Sequence, residues 1–232
     1  LYVRFKGNAT SIRANWKLTG ERLAMSHMAA TGVSGLDLYV RHEDGSWRWL
    51  GVGRPDSIEN TVTLVQDIPE IQREYLLYLP LYNGVKHVSL GIPAGQKIEA
   101  LPAFPGKPIV FYGTSITQGG CASRPGMCTS SILGRRFERE FINLGFSGNG
   151  RMEPEVATLL AELDPAVYFI DCLPNLQPEQ VAERVEPFVN ILREAHPGTP
   201  IVLVEDRTYD NAFLIESKMS RNLESRKALR NA

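Results

Sequence analysis

From the N-terminus to about residue 95, hydrophobic and polar residues alternate in short runs, as in Leu36-Asp37-Leu38-Tyr39-Val40. Period-two alternation sends successive side chains to opposite faces of a strand. The pattern predicts strands at 2–5, 11–18, 35–41, 47–52, 61–65, 73–79 and 86–91. Turn chemistry separates several of them, in Glu43-Asp44-Gly45-Ser46 and Tyr82-Asn83-Gly84. Strands at this spacing, without a convincing long helical pattern among them, predict a β-sandwich over residues 1–95. A stretch rich in Pro and Gly follows, and residues 96–107 are expected to form a linker to a second domain, 108–232.

Beyond it the period changes. Apolar runs predict strands at 109–112, 141–144, 166–170 and 201–204. Between and after them, helical patterns are predicted at 129–140, 154–163, 178–195 and 216–231. Val181, Val185, Phe188 and Leu192 recur on one helical face and are expected core contacts. Pro187 lies inside that helix and predicts a kink. Strand–helix alternation of this kind gives an α/β fold, a parallel sheet with helices on both faces.

The candidate chemistry sits at the ends of three predicted strands. Gly113-Thr114-Ser115-Ile116-Thr117 follows the first, Asn143-Leu144-Gly145-Phe146-Ser147-Gly148 closes the second, and Asp171-Cys172-Leu173-Pro174-Asn175 follows the third. A Gly-flanked serine between a strand and a helix lifts its hydroxyl above the sheet edge, beside backbone N–H groups. Taken singly, each feature is also an ordinary turn. Together, the Ser115 N–H, the Gly148 N–H and the Asn175 amide could converge as oxyanion donors beside a nucleophile, at the edge where open parallel sheets bind ligands.

These three blocks resemble the SGNH (GDSL-like) hydrolases, in particular the bacterial branch with Gly-Thr-Ser-Ile-Thr in the first block and a β-domain in front. The likeness runs from about Pro108 to the end of the chain and weakens upstream. It implies a flavodoxin-like three-layer domain preceded by a β-sandwich, jelly-roll-like domain, and ester or acyl-transfer chemistry. It further implies Ser115 as nucleophile with Gly148 and Asn175 as oxyanion donors. Thr114 stands where Asp is common, a position without a proton-transfer role.

The same resemblance implies a base in an Asp-x-x-His pair near the C-terminus. The residues three before His27, His42, His87 and His196 are Ala24, Tyr39, Gly84 and Arg193. None fits, and His196 reads as a helix C-terminal residue. The chain opens at Leu1 inside a strand pattern and closes inside a helical one. It is therefore expected to be a fragment cut at both ends, lacking a final strand and the Asp-x-x-His loop. Ser115 without a base is a poor nucleophile.

Bulk properties narrow the picture. The 232 residues are 43% hydrophobic with a net charge of −1, which offers no electrostatic case for nucleic acid or an anionic membrane. No apolar run is long enough to span a bilayer. Compartment is left open, secretion and the periplasm included, as is oligomeric state. Cys121 and Cys128 flank the loop after Ser115 and are either a small disulfide or two thiols; Cys172 reads as a small core residue. No zinc spacing occurs, and no metal or organic cofactor is implied.

Trp16, Trp47 and Trp49 in the front domain either fill its core or offer a face to sugar rings. Arg124 and Arg151 are candidates for holding a substrate group, or solvated loop residues. Asp171 is expected to brace a loop rather than act as a base. The leading expectation is a serine esterase that removes small acyl groups, acetyl among them, from a carbohydrate or related metabolite. Acyl transfer to an alcohol uses the same residues. A carbohydrate-binding protein with an inactive hydrolase domain is the alternative of a different class.

Overall fold

The computed structural model describes all 232 residues. They fall into two compact units, and the chain returns to the first after entering the second. Leu1–Pro105 and Gly119–Glu138 form one unit; Gly106–Gln118 and Arg139–Ala232 form the other.

The first unit contains β1 (Tyr2–Gly7), β2 (Ile12–Leu18), the short helix α1 (Ala30–Val33), β3 (Leu36–Arg41), β4 (Trp47–Gly53), β5 (Glu59–Val65), β6 (Arg73–Tyr78), β7 (Val85–Gly91) and β8 (Ile98–Ala100). Two antiparallel sheets, β4-β3-β6-β1-β8 and β5-β2-β7, make the sandwich. Phe5, Ile12, Ala14, Trp16, Leu36, Leu38, Leu64, Tyr75 and Leu77 pack as its core. Trp16 is fully buried and donates its indole N–H to the Ser34 carbonyl at 3.1 Å, which satisfies the one polar atom it carries inward. The stretch expected as a linker is partly sheet. Ile98–Ala100 pairs antiparallel with β1, so the sandwich extends past residue 95.

Strand β3 is buried along Leu36–Tyr39 instead of alternating. Asp37 and Tyr39 lie on the face opposite Leu36 and Leu38, and the returning segment Gly119–Glu138 covers it. The Arg135 guanidinium lies 3.9 Å from the Tyr39 ring centre and 5.3 Å from that of Tyr78. Asp37 accepts the Gly126 N–H at 2.8 Å and the Trp49 indole N–H at 2.9 Å, and pairs with Arg124 at 3.3 Å. Burial pushes the Asp37 carboxyl up to about 6, against the lowering pull of these donors and cations. Helix α3 (Thr129–Phe137) closes this segment and ends earlier than expected, because Glu138 turns left-handed at φ 50°. Cys121 and Cys128 are both unbonded thiols, the first exposed and the second buried.

The second unit contains β9 (Ile109–Gly113), the one-turn α2 (Ser115–Gln118), β10 (Phe141–Gly145), α4 (Pro154–Ala161), β11 (Val167–Asp171), α5 (Pro178–Ala195), β12 (Ile201–Leu203) and α6 (Glu216–Asn231). The sheet is parallel, ordered β10-β9-β11-β12. All five residues of β9 are buried, as a central parallel strand requires. Val110, Tyr112, Tyr168 and Ile170 face Ala157 and Leu160 of α4, Val181, Val185, Phe188 and Leu192 of α5, and Leu229 of α6. Helix α5 starts at a capping box between Gln177 and Gln180 and runs uninterrupted through Pro187 to its C-cap, His196.

Candidate active site

In the second unit, Gly113 of β9 is in register with Gly145 of β10 on one side and Asp171 of β11 on the other. Three strands therefore end level at the sheet's C-terminal edge. The chain passes from β9 to β10 on one side, then crosses to β11 on the other, so β9 marks the point where strand order reverses. Crevices at such points are where open α/β sheets take ligands. Ser115, Gly148 and Asn175 all lie just beyond these three ends.

Ser115 is the first residue of α2 and is half-buried. Its turn is fixed from both sides. The Thr114 N–H donates to the Asp171 carbonyl at 3.2 Å, and the Gln118 N–H closes on the Thr114 carbonyl at 3.0 Å. Thr114 itself is buried, and its hydroxyl oxygen accepts the Ile116 N–H at 3.3 Å, the local cap that a short polar residue supplies here. Two residues after Ser115, the Thr117 hydroxyl donates to Asp171 Oδ2 at 3.1 Å.

The loop after β10 is tied to that turn. The Phe146 N–H donates to the Gly113 carbonyl at 2.9 Å, the Ser147 N–H to Gln118 Oε1 at 3.0 Å, and Asn143 Nδ2 to the Thr117 carbonyl at 2.8 Å. A turn from Phe146 to Asn149 follows, closed at 3.0 Å. It carries Gly148 at φ 73°, exposed, with nothing within 4 Å of where a Cβ would stand. Gly150, at φ 72°, is packed instead: a Cβ there would lie 2.1 Å from the Gly113 carbonyl oxygen.

Asn175 closes a 3₁₀ turn, Leu173–Asn175, and its Nδ2 donates to the Asn149 carbonyl at 2.5 Å. That turn is buttressed from α6. Arg221 Nη2 donates to the carbonyls of Leu173 (3.4 Å), Pro174 (3.1 Å) and Leu176 (3.0 Å), while its Nη1 is held by buried Asp206 at 2.6 Å. Asn222, fully buried, donates to the same Asp206 and to the Arg207 carbonyl, both at 2.6 Å. Arg207 in turn grips Asp171 with two parallel bonds of 2.8 and 2.7 Å.

The three expected residues thus sit on interlocked turns at one edge. Asp171 braces a loop, as expected of it, and the loop is the one that holds Ser115. Arg151 is engaged locally, its Nη2 donating to the Gly148 carbonyl at 3.2 Å. Arg124 is engaged within the first unit by Asp37 and lies 5.0 Å from the Trp49 ring centre. Trp16 is wholly buried in the core of the sandwich, whereas Trp49 is 50% exposed. Sequence reasoning missed Arg207, Arg221 and Thr117. Thr117 stands inside the Gly-Thr-Ser-Ile-Thr block, but the two arginines carry no local signal.

No histidine of the second unit approaches this edge. His196 caps the C-terminus of α5, where the chain turns to enter β12, so it stands at the sheet's opposite end; its Nε2 lies 2.8 Å from the Ala161 carbonyl. Cys172 is wholly buried and burial pushes its thiol far up, which makes it a poor nucleophile. No three His, Cys, Asp or Glu side chains stand together as a metal-binding group. No helix is long and apolar enough to cross a membrane.

Comparison with known proteins fits both units. Residues 106–232 match the GDSL-like lipase/acylhydrolase family, and residues 1–98 match the N-terminal part of SGNH-hydrolase-type esterases. A Bacteroides ovatus protein described as a GDSL-like lipase is 34% identical, with a TM-score of 0.94, over 99% of this chain and 68% of its own. The salicylyl-acyltransferase SsfX3 of a tetracycline biosynthetic pathway shares the fold at 17% identity and TM-score 0.66, over 99% of this chain and 66% of its own. A family two carbohydrate esterase from Clostridium thermocellum, solved with cellohexaose, does so at 15% identity and TM-score 0.61, over 95% of this chain and 75% of its own. No curated protein matches the chain. The chain belongs to the GDSL-like lipase/acylhydrolase family.

Proposed function

We propose that the full-length protein is a serine esterase that cleaves small acyl esters through a covalent intermediate on Ser115. The supporting observation is the level ending of β9, β10 and β11, which sets Ser115, Gly148 and Asn175 on adjoining, cross-bonded turns. Ser115 Oγ attacks the ester carbonyl, and the carbonyl oxygen becomes an oxyanion. The Ser115 N–H, the Gly148 N–H and the Asn175 amide donate to it. Collapse breaks the bond to the alkoxide, which leaves as the alcohol by taking up the proton lost from Ser115 Oγ, and the acyl group stays on Ser115. Water then attacks the acyl-enzyme, the same donors hold the second oxyanion, and the carboxylic acid departs. The chain spans 68% of the length of the Bacteroides ovatus protein it matches, so activity is assigned to the full-length protein.

A carbohydrate or related metabolite is the proposed alcohol portion. The fold shared with carbohydrate esterases supports that choice. The test is incubation of the full-length protein with acetylated oligosaccharides, with acetate and deacetylated sugar measured by mass spectrometry. Stoichiometric release of both supports the reading. Sugar binding without acetate release would put a binding protein in its place, and transfer of the acetyl group to an added alcohol would make it a transferase.

A further inference from the structure

Asp171 touches the nucleophile turn at two points. Its carbonyl accepts the Thr114 N–H at 3.2 Å and its carboxylate accepts the Thr117 hydroxyl at 3.1 Å, so one residue brackets Ser115 on both sides. The carboxylate is buried, with 2% of its side chain exposed. A buried charge needs a partner, and one left unpaired is strongly unfavourable. The partner is Arg207, whose two donors reach Oδ1 and Oδ2 at 2.8 and 2.7 Å from the segment that follows β12. The Arg207 main chain is anchored, because its carbonyl accepts from buried Asn222 at 2.6 Å.

The consequence is electrostatic as well as structural. An esterase must build negative charge beside the turn that carries Ser115. A bare carboxylate under that turn, itself shut off from water, opposes this. A carboxylate neutralised by a guanidinium keeps its hydrogen bonds to the turn while presenting little net charge. We propose that Arg207 is a positioning residue for Ser115: it cancels the charge of Asp171, so that the same carboxylate can brace the nucleophile turn without repelling the oxyanion. This rests on the esterase reading above and adds to it a residue 92 positions away from Ser115 in the chain.

The test uses the full-length protein, assayed on an aryl acetate, with every variant shown folded by circular dichroism at the assay temperature and its active sites titrated with an organophosphonate. Arg207→Ala is expected to lower kcat about 10- to 100-fold with KM changed less than about threefold. Arg207→Lys keeps the charge but loses the two-pronged geometry, and is expected to stay within about fivefold of wild type. Asp171→Asn/Arg207→Ala removes the stranded charge and is expected to recover most of the kcat lost by Arg207→Ala. Arg207→Lys as poor as Arg207→Ala would overturn the charge-compensating role, and so would a double variant no better than Arg207→Ala. If Arg207→Ala does not fold, the Lys variant against the double variant decides: both near wild type supports the proposal, and either one inactive overturns it. Wild-type activity that survives Ser115→Ala would instead remove the esterase reading, a distinguishable result.

Discussion

Asn175 donates its side-chain amide to the Asn149 carbonyl at 2.5 Å, so the turn after β11 is bonded directly to the loop that carries Gly148. One amide hydrogen is used in that bond and the second is available for a substrate oxygen. The two proposed side-by-side donors are therefore held at a fixed spacing by a bond between their own loops. Asn175→Ala in the full-length protein is expected to lower kcat by roughly 10²–10³ with the fold retained. Steady-state kinetics on an aryl acetate checks this; an unchanged kcat would remove Asn175 from the oxyanion site.

Part of this arrangement is legible in the chain, for a physical reason. Short apolar runs ending in Gly or Asp mark buried parallel strands and the turns that leave them. Gly113, Gly145 and Asp171 therefore stand out in the residue pattern itself, and so do Ser115, Gly148 and Asn175 just beyond. What stays hidden depends on contacts between distant residues. Arg207 and Asp171 are 36 positions apart, and nothing near either one announces the pair. Asp37 reads as a polar position of an alternating strand, yet it is buried because Gly119–Glu138 folds back over it. Strand β8 escapes notice because Ile98-Glu99-Ala100 has almost no apolar pattern of its own and exists as a strand through pairing with β1.

The two left-handed glycines in the Gly148 loop separate backbone strain from packing. Gly148→Ala meets no neighbour, so its cost is the left-handed backbone alone, about 1 kcal/mol. Gly150→Ala adds a collision with the Gly113 carbonyl at 2.1 Å, in the strand that leads to Ser115. Gly150→Ala is expected to destabilise the protein by at least about 2 kcal/mol more than Gly148→Ala, read from urea unfolding midpoints. Equal midpoints would contradict the packed geometry of this loop.

Asp37 makes stability depend on pH in a definite direction. Its carboxyl is raised by burial from 3.8 to about 6, so the folded state holds the proton more tightly than the unfolded chain does. Its contribution is greatest below about pH 4 and is lost as pH rises through about 6, on the order of 3 kcal/mol in all. Asp37→Asn carries no such dependence. The stability of wild type relative to Asp37→Asn is expected to fall between pH 4 and pH 7.5, measured by chemical unfolding at both values. A difference that is the same at both would contradict the buried, ionisable Asp37.

The thiols give a simple chemical check. Cys121 is exposed, whereas Cys128 and Cys172 are buried. In the native protein Cys121 is expected to react with a disulfide reagent within minutes while the other two react only after unfolding, and a reductant is expected to leave the melting temperature unchanged. A drop in melting temperature on reduction would point to a bond between Cys121 and Cys128.

The covalent step is proposed on Ser115, and the proposed roles of Gly148, Asn175 and Arg207 depend on it. The most direct measurement is hydrolysis of an aryl acetate by the full-length protein and by its Ser115→Ala variant, with the covalent acyl adduct sought by mass spectrometry of peptides containing residue 115 after rapid quenching. The predicted result is turnover and an acylated Ser115 in the wild type, with turnover down at least about 10³-fold and no adduct in the variant. Equal turnover in both proteins, or an adduct on another residue, would contradict it.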